Sequence, residues 1–372
     1  MSNCTSPVTV IGSGNAGLTA AYHLSRSGCD VCLYGSPGFD QPLDDIQQGS
    51  GIEALPELSG VPLAFSGFTS IHTLSRDIAE AIAFADILLM PVPSFAQEVL
   101  FDTMLPYLTN RHMLVMMPGN CGSLTLKKRM RDQGYHNLDP TFVDAISIPW
   151  ACRINGPAQI AIMGIKEFLP MAALPASITG SAIARLQGIL PLPLKPLKNV
   201  IAAGLENINF GGHPLLTTLN IGLLENFCGN FNYYKDCCSP STARAAAAME
   251  QERLAVGNAL GIALTPEIEA MNALYRTNFK SVYEFNRSSE THGKITSAPD
   301  SASHRYITED ASYLLVPCHE FGRLAQVPTP MVDACLVIDN AFNQTDYFQE
   351  GRTLEKMGLA GMTIDQIMAY VA

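Results

Sequence analysis

The chain has 372 residues, of which 47% are hydrophobic and 15% charged, so it has room for two domains and is not intrinsically disordered. Its formal net charge of −11 argues against nucleic acid or an anionic membrane as the main partner. The polar first residues do not resemble a signal peptide, and no apolar run is long enough to span a bilayer, so we predict a cytoplasmic protein.

Ten cysteines are scattered along the chain, and without a secretory signal we expect them to be reduced thiols. Cys29 and Cys32 form a CxxC pair that has no matching second pair. Zinc needs four ligands, or three and a water molecule, so we predict no metal site.

A strand, a glycine-rich turn and a helix open the chain. The β-branched run at residues 7–11 predicts a buried strand, and residues 18–27 have helical spacing. Between them lies a GxGxxG pattern, in which the glycines allow a tight turn, the approach of a pyrophosphate and close packing of helix on strand. The helix start offers unpaired N–H groups to phosphates. The predicted cofactor contacts are Gly12, Ser13, Gly14, Asn15, Ala16 and Gly17.

The end of the second strand, at residues 30–34, bears on the choice of cofactor. NAD-binding sites usually carry Asp or Glu there to hold the ribose 2′-hydroxyl, whereas this chain has Gly35 and Ser36. A 2′-phosphate would therefore meet no repulsion, although no arginine follows to bind it, and Asp40 lies beyond the strand end. We predict a site that includes Ser36 and binds NADP, with NAD as the alternative.

Later strands extend the predicted sheet. Buried strands are predicted at residues 86–90, 113–117, 142–151 and 160–164, and a helix at residues 71–84. Ligands of such sheets lie outside the carboxyl ends of the strands. Trp150, the only tryptophan, is interpreted as a packing residue. The residues predicted to line the nicotinamide side are Pro93, Ser94, Gly119 and Asn120.

A proline-rich segment at residues 190–196 cannot be helical and marks the predicted domain junction. Beyond it the sequence lacks alternating strands and is typical of helices. One of these is predicted at residues 243–260, capped by Ser241. The predicted fold is an α/β Rossmann-type dinucleotide-binding domain at residues 1–195, followed by an all-α domain at residues 196–372.

A histidine stands in an apolar part of this second domain, in the stretch Asn209-Phe-Gly-Gly-His213-Pro214. Imidazole can take or give a proton near neutral pH, which makes His213 a candidate acid/base. The alternative is a core histidine whose hydrogen bonds are satisfied by Asn209.

A polar cluster at residues 303–310 could serve His213 and a substrate. Thr308 is a plausible N-cap, which would place Asp310 in the first turn of a helix and Arg305 in the loop before it. Asp310 could then orient the histidine or simply complement the helix dipole. Residues 279–303 are predicted to form a long loop over the cleft, and loops of that length are often functional.

Together these motifs resemble the octopine/nopaline (opine) dehydrogenase family over nearly the whole chain. The resemblance rests on the GxGxxG turn, the Asn209–Pro214 stretch, His304-Arg-Tyr-x-x-Glu-Asp310, the Val-Pro-Thr-Pro at residues 327–330 and the Met-Gly-Leu-Ala-Gly at residues 357–361. The glycine turn and the two-domain plan are shared with glycerol-3-phosphate and 6-phosphogluconate dehydrogenases. The resemblance therefore implies a helical second domain like that of 6-phosphogluconate dehydrogenase.

The resemblance also implies a reaction, in which a 2-oxo acid and the amine of an amino acid condense to an imine that a nicotinamide hydride reduces. By position, His213 would be the general acid/base, Asp310 would hold its imidazole, and Arg305 would bind a substrate carboxylate. Asn209 would orient His213 or the cofactor amide.

Two other functions stay open at this point. A related dehydrogenase of hydroxy or phosphorylated acids would use a lysine at the start of the second domain, but Lys195 and Lys198 lie in or beside the proline-rich segment. A non-catalytic dinucleotide sensor would need no His–Asp pair. The expected partners are small molecules, and the sequence leaves homodimer formation open.

Overall fold

The computed structural model describes residues 6–58, 61–290, 292 and 298–372. The chain divides into two compact units, Met1–Val200 and Ile201–Ala372. The predicted junction at residue 195 rests on the proline-rich segment. In the structure this segment contributes the strand Leu194–Pro196 to the first unit.

The strands of the first unit are β1 (Val8–Ile11), β2 (Val31–Tyr34), β3 (Ile52–Ala54), β4 (Glu57–Leu58), β5 (Val61–Pro62), β6 (Gly67–Thr69), β7 (Thr73–Ser75), β8 (Ile87–Met90), β9 (Met113–Met116), β10 (Thr141–Ala145), β11 (Trp150–Gly156), β12 (Gln159–Ile165), β13 (Leu169–Leu174) and β14 (Leu194–Pro196). Eight of them form one sheet in the order β14-β13-β10-β9-β8-β1-β2-β7. All neighbours in this sheet are parallel except β10 and β13.

The helices of this unit are α1 (Asn15–Arg26), α2 (Gln41–Gly49), α3 (Ile78–Phe84), α4 (Ser94–Met104), α5 (Gly122–Asp132) and α6 (Thr179–Leu186). The central strands β1, β8 and β9 are buried along their whole length, as expected for parallel strands covered on both faces. Helix α1 buries Leu18, Tyr22 and Leu24. The carboxyl ends of the parallel strands lie at one edge of the sheet, which is where the predicted cofactor residues are.

Two predictions for the first unit are wrong in part. The strands β11 and β12 belong to a separate four-stranded sheet, β11-β12-β3-β6, and do not extend the main sheet. The predicted helix at residues 71–84 starts only at Ile78, because residues 73–75 pair with β2 as β7. Trp150 is fully buried, and its Nε1 donates a hydrogen bond to His23 Nδ1 at 2.8 Å, so it packs inside the first unit.

All secondary-structure elements in the described part of the second unit are helical. Its helices are α7 (Val200–Leu205, starting at the last residue of the first unit), α8 (Asn209–Gly212), α9 (Pro214–Leu219), α10 (Ile221–Phe227), α11 (Tyr233–Asp236), α12 (Pro240–Ala259), α13 (Glu267–Tyr275), α14 (Val282–Ser288), α15 (Arg305–Asp310), α16 (Val316–Ala325), α17 (Pro330–Asn343), α18 (Tyr347–Glu350) and α19 (Ile364–Val371). A π-helical turn, Ala311–Leu315, joins α15 to α16.

One core cluster of this unit brings α9, α10, α11 and α15 together. It consists of Leu216, Leu224, Tyr233, Tyr234, Cys237 and Tyr306. Three of its six members are tyrosines, whose hydroxyls need hydrogen-bond partners when buried. The cluster therefore places polar atoms inside the helical unit, next to His213.

The structure corrects several predicted boundaries in the second unit. Helix α15 begins at Arg305 with His304 as its N-cap, so Thr308 is not a cap and Asp310 is the last residue of the helix. The cap of α12 is Ser239, not Ser241. The predicted loop at residues 279–303 contains α14, and its residues 291 and 293–297 lie outside the described residues.

In the part of the chain that the structure describes, no helix combines the length and apolar character needed to cross a bilayer. No group of three or more His, Cys, Asp or Glu side chains there could hold a metal ion. Cys29 is disulfide-bonded, so the expectation of reduced thiols is wrong at that residue, whereas Cys32 is a free thiol.

Candidate functional site

The three glycines of the turn between β1 and α1 meet different steric demands. Gly12 has a φ of +104°, and a Cβ there would lie 2.5 Å from Val92 Cγ1. A Cβ on Gly17 would lie 1.9 Å from the carbonyl oxygen of Gly12, so only glycine fits. A Cβ on Gly14, the N-cap of α1, would meet nothing within 4 Å. The start of α1 therefore has open space beside Gly14, and the N–H groups of a first helical turn suit the diphosphate of a dinucleotide.

The remaining residues of this turn hold it in place. Ser13 Oγ donates a hydrogen bond to the carbonyl oxygen of Phe39 at 2.5 Å. Asn15 Oδ1 accepts one from the backbone N–H of Ile154. Ala16 is half-buried. Because the side chains of Ser13 and Asn15 have these partners, we expect the turn to bind a cofactor through its backbone.

A buried hydrogen bond joins the segments that follow β8 and β9. Asn120 Nδ2 donates to Ser94 Oγ at 2.9 Å, and both residues are at most 1% exposed. Pro93 is the N-cap of α4. Gly119 packs so closely on Asp144 that a Cβ would lie 2.3 Å from the Asp144 Cβ. The structure thus brings together the four residues that were predicted to line the nicotinamide side.

Arg76, which was not predicted as a site residue, directly follows β7, the strand that pairs with β2. Ser75, the last residue of β7, is paired with Tyr34, the last residue of β2. Arg76 therefore follows at the same sheet edge as Gly35 and the half-buried Ser36. It was missed because residues 71–84 were predicted to be one helix.

Two carboxylates near the start of α2 bind this cation. Arg76 Nε lies 3.4 Å from Asp40 Oδ2, and Arg76 Nη2 forms a hydrogen bond with Asp44 Oδ1. The side chains of Arg76 and Asp40 are 39% and 38% exposed, so a ligand can reach both. Either group is suited to contact the adenosine ribose, the carboxylate through hydroxyls and the guanidinium through a phosphate.

In the second unit, His213 occupies the junction between α8 and α9. Its backbone N–H donates to the Asn209 carbonyl oxygen at 3.0 Å, and Pro214 starts α9 directly after it. Proline suits this position because the first residue of a helix has no intrahelical acceptor for its N–H. Thr217 Oγ1 donates to the His213 carbonyl oxygen at 2.6 Å. The backbone of His213 is therefore fixed on both sides.

Both nitrogens of the His213 imidazole have side-chain partners. Nδ1 lies 2.8 Å from Asp310 Oδ2, and Nε2 lies 2.9 Å from Tyr234 Oη. The side chains of His213 and Asp310 are 6% and 5% exposed. Burial raises the pKa of the Asp310 carboxyl well above its ordinary value. The carboxyl group holds the imidazole through the Nδ1–Oδ2 hydrogen bond, and an imidazole oriented in this way suits acid–base catalysis.

Aromatic rings enclose this His–Asp pair. Tyr306 stacks on the imidazole of His213 with ring centroids 3.6 Å apart and an angle of 10° between the planes. Tyr233 holds the backbone nearby, since its hydroxyl lies 2.8 Å from Thr217 Oγ1 and donates to the His213 carbonyl oxygen at 3.0 Å. The rings keep water away from the pair, and a lower local dielectric strengthens its hydrogen bonds.

Arg305 lies on the same helix as Asp310, but at its opposite end. Its Nη1 is 3.3 Å from Glu309 Oε2, and its side chain is 52% exposed, whereas that of Glu309 is 3% exposed. The guanidinium also lies 5.7 Å from the ring centroid of Tyr306. Glu309 thus orients a largely exposed cation whose remaining N–H groups suit a carboxylate ligand.

Asn209 does not serve the imidazole in the way that the sequence suggested. The side-chain partners of the His213 ring are Asp310 and Tyr234, and Asn209 contributes its backbone carbonyl to the His213 N–H. His213 is buried with both ring nitrogens hydrogen-bonded, so the alternative is wrong only in naming Asn209 as the partner of the ring. Asn209 itself is half-buried.

Three residues were not predicted from the sequence: Tyr234 and Tyr306, which contact His213, and Glu309, which contacts Arg305. Tyr306 precedes Asp310 by four residues, which is one helical turn, so a correct helix start at Arg305 would have placed both on one face. Glu309 stands four residues after Arg305 in the same way. Tyr234 has no such signal, because its contact with His213 depends on the packing of separate helices.

Two family models match the chain. The model of the NAD/NADP octopine/nopaline dehydrogenase α-helical domain matches residues 196–343, and that of an NAD(P)-binding Rossmann-like domain matches residues 10–37. Both agree with the predicted fold class, and the prediction of a Rossmann-type domain followed by an all-α domain is confirmed.

Curated relatives match almost the entire chain. An opine dehydrogenase of Arthrobacter sp. (strain 1C) is 31% identical over 97% of this chain and 98% of its own length. A vitopine synthase of Allorhizobium ampelinum is 26% identical over 96% of both chains. Among solved structures, an octopine dehydrogenase with NADH and L-arginine has a TM-score of 0.77 at 19% identity and 98% coverage of both chains. These matches confirm the resemblance drawn from the motifs.

Proposed function

The chain belongs to the octopine/nopaline (opine) dehydrogenase family, and on that basis we propose that it joins a 2-oxo acid to the amine of an amino acid. It is an NAD(P)-dependent oxidoreductase of the opine dehydrogenase type. The single observation that carries the proposed chemistry is the His213–Asp310 hydrogen bond of 2.8 Å in a buried setting.

His213 would act first as a base and then as an acid. The amine of an amino acid is an ammonium at neutral pH, and neutral His213 can take a proton from it so that the nitrogen attacks the carbonyl carbon. The same proton then returns to the hydroxyl of the adduct, which leaves as water and gives the imine. Asp310 would hold the imidazole in one tautomer and stabilise its charged form. A bound reduced nicotinamide supplies the hydride for the imine carbon.

Arg305 would bind a carboxylate of the substrate. Its planar guanidinium suits a bidentate contact, and its exposed side chain is oriented by the buried Glu309. We propose the oxo acid as its ligand. Asn209 would serve as a further substrate contact, since it lies one turn before His213 and its side chain is not fully buried.

The residues that we propose for cofactor binding are those of the first unit described above: Gly12, Ser13, Gly14, Asn15, Ala16, Gly17, Ser36, Pro93, Ser94, Gly119 and Asn120. Two features of the first unit support this assignment, namely the N–H groups at the start of α1 and the buried hydrogen bond between Ser94 and Asn120.

For the choice between cofactors we propose NADP. No carboxylate follows β2 at Gly35 or Ser36, and Arg76 supplies at that edge the cation that a 2′-phosphate requires. The phosphate would replace Asp40 and Asp44 as the partner of the guanidinium. A preference for NADH would instead assign Asp40 to the ribose hydroxyls.

The activity is tested by following the absorbance of NADPH and of NADH with pyruvate, 2-oxoglutarate or glyoxylate against a panel of amino acids. We expect oxidation only when an oxo acid and an amino acid are both present. Oxidation with the oxo acid alone would contradict the proposal and indicate a hydroxy-acid dehydrogenase. We also propose a cytoplasmic location, which cell fractionation tests, and light scattering shows whether the chain forms a homodimer.

A further inference from the structure

The hydroxyl of Tyr234 is hydrogen-bonded to the ring nitrogen of His213 that would otherwise be available to a substrate. Asp310 binds Nδ1, so Nε2 is the atom left for acid–base work, and Tyr234 Oη lies 2.9 Å from it. His213 and Tyr234 are 4% and 7% exposed. A substrate can therefore exchange a proton with His213 either through the phenol or after the phenol has moved away.

The hydrogen-bond inventory of the three side chains favours the first route. When Nδ1–H donates to the Asp310 carboxylate, neutral His213 accepts the Tyr234 O–H at Nε2. Once His213 is protonated, Nε2–H donates to Tyr234 Oη, and the phenolic O–H turns to another acceptor. A phenol is suited to this exchange because its oxygen both donates and accepts.

We propose that Tyr234 is a catalytic residue that carries the proton between His213 and the substrate oxygen, an inference that rests on the proposed function. In the reductive direction, the Tyr234 O–H proton passes to the hydroxyl of the oxo acid–amine adduct. The Nε2 proton of His213 passes to the phenolic oxygen at the same time. The C–O bond breaks, water leaves, and the nitrogen lone pair forms the protonated imine. Tyr234 ends neutral, and His213 has lost one proton.

The packing of Tyr234 makes movement of its ring costly. Its ring lies edge-on to Tyr233 and His292, with centroids 5.0 Å and 4.5 Å away. Tyr233, on the same helix α11, is tied to the carbonyl oxygens of Gly212 and His213 at 3.2 Å and 3.0 Å. Removing the phenol from Nε2 would disturb this cluster, whereas a proton transfer through it requires no displacement.

The protonation state of Tyr234 suits the same role. Burial raises the pKa of the Tyr234 phenol well above its ordinary value, so the hydroxyl keeps its proton at neutral pH. A phenolate could accept a proton but could not donate one at the same time.

The first test is Tyr234→Phe, which removes the hydroxyl and keeps the ring. We expect kcat to fall about a hundredfold while the affinity for the cofactor stays within about twofold. The matched control is Tyr275→Phe, a half-buried tyrosine that also packs against His292, with ring centroids 5.5 Å apart. Wild-type or increased kcat in Tyr234→Phe would overturn the inference, because it would indicate a phenol that substrate displaces.

A second variant separates proton transfer from positioning. Fluorotyrosine at position 234 keeps the hydroxyl but lowers its pKa, so a proton carrier should shift the pH profile of kcat towards lower pH. A purely structural phenol would leave the profile unchanged, and that result would overturn the inference.

A third measurement needs no turnover. The ¹⁵N chemical shift of His213 Nε2 should change in Tyr234→Phe and stay constant in Tyr275→Phe. An unchanged Nε2 shift in Tyr234→Phe would overturn the inference. Failure of the proposed function is distinguishable, since it would appear in the wild-type chain as oxidation without the amino acid.

Discussion

Tyr306 and Asp310 stand one helical turn apart on α15 and contact the same imidazole from different directions. The Tyr306 ring stacks on the face of His213 at 3.6 Å, and Asp310 binds Nδ1 at its edge. One short helix therefore sets both the plane and the rotation of the imidazole. This arrangement makes α15 the structural support of the candidate catalytic group.

Replacement of the histidine tests its role directly. We expect His213→Ala to lower kcat on the order of a hundredfold or more while the cofactor Kd stays within a few-fold, because the turn that would bind the cofactor lies in the other unit. Asp310→Asn should also lower kcat, since the amide cannot stabilise the imidazolium. Steady-state kinetics and cofactor titration check both, and unchanged turnover in His213→Ala would refute the assigned role.

Arg305→Lys should raise the apparent KM for the oxo acid by about tenfold, because an ammonium cannot replace the bidentate contact of a guanidinium. Initial rates at fixed amino acid measure this effect. Arg323→Lys is the control, since Arg323 Nη2 lies 3.1 Å from Glu320 in a similar surface pair and its side chain is 66% exposed. An effect on the KM of the amino acid alone would reassign Arg305.

Arg76→Ala should weaken NADPH binding by about tenfold and leave NADH binding within about twofold, because only NADPH carries the 2′-phosphate. Fluorescence titration of each cofactor gives the two Kd values. The matched control is Arg111→Ala, whose guanidinium lies 3.1 Å from Asp86, before β8 and β9 begin. An equal loss of affinity for both cofactors would indicate that Arg76 supports folding and does not discriminate between NADPH and NADH.

Glu267 predicts a pH dependence of stability. Burial, and next the charge of Glu250, raises the pKa of this carboxyl from 4.5 to about 8. The protonated Glu267 carboxyl contributes fully to the free energy of unfolding below pH 4.5. This contribution falls as the pH rises and is lost above about pH 8, a difference on the order of a few kcal/mol at most. Glu267→Gln should remove this dependence, so the variant should gain stability relative to the wild type as the pH rises.

Urea unfolding at pH 5 and pH 9 measures that difference. The control is Glu269→Gln on the same helix, because Glu269 is exposed. Identical pH profiles for Glu267→Gln and the wild type would show that the buried carboxyl titrates normally.

The nucleotide-binding half could be predicted largely from local sequence. The strand, the glycine turn and α1 follow from a buried β-branched run and from steric limits at Gly12 and Gly17, which act over a few residues. Strand β7 was missed because its three residues gain their stability by pairing with β2 and not from their own pattern.

The candidate catalytic residues were only partly predictable. Their side-chain chemistry made His213 and Asp310 candidates, but only the family resemblance favoured their pairing over the alternatives, because no local pattern relates residues that lie 97 positions apart. The start of α15 was missed because its cap is His304, whose Nδ1 accepts the Tyr306 N–H at 3.3 Å, whereas Ser, Thr, Asp and Asn are the usual caps. The Tyr234 contact arises only once α9 and α11 have packed.

The buried Trp150 gives the first unit an optical signal of its own. It is the only tryptophan of the chain, and its indole hydrogen bonds with His23 inside that unit. Burial lowers the pKa of His23 to about 4, so at neutral pH the indole faces an uncharged ring. Tryptophan emission will therefore follow the unfolding of the first unit separately from that of the helical unit.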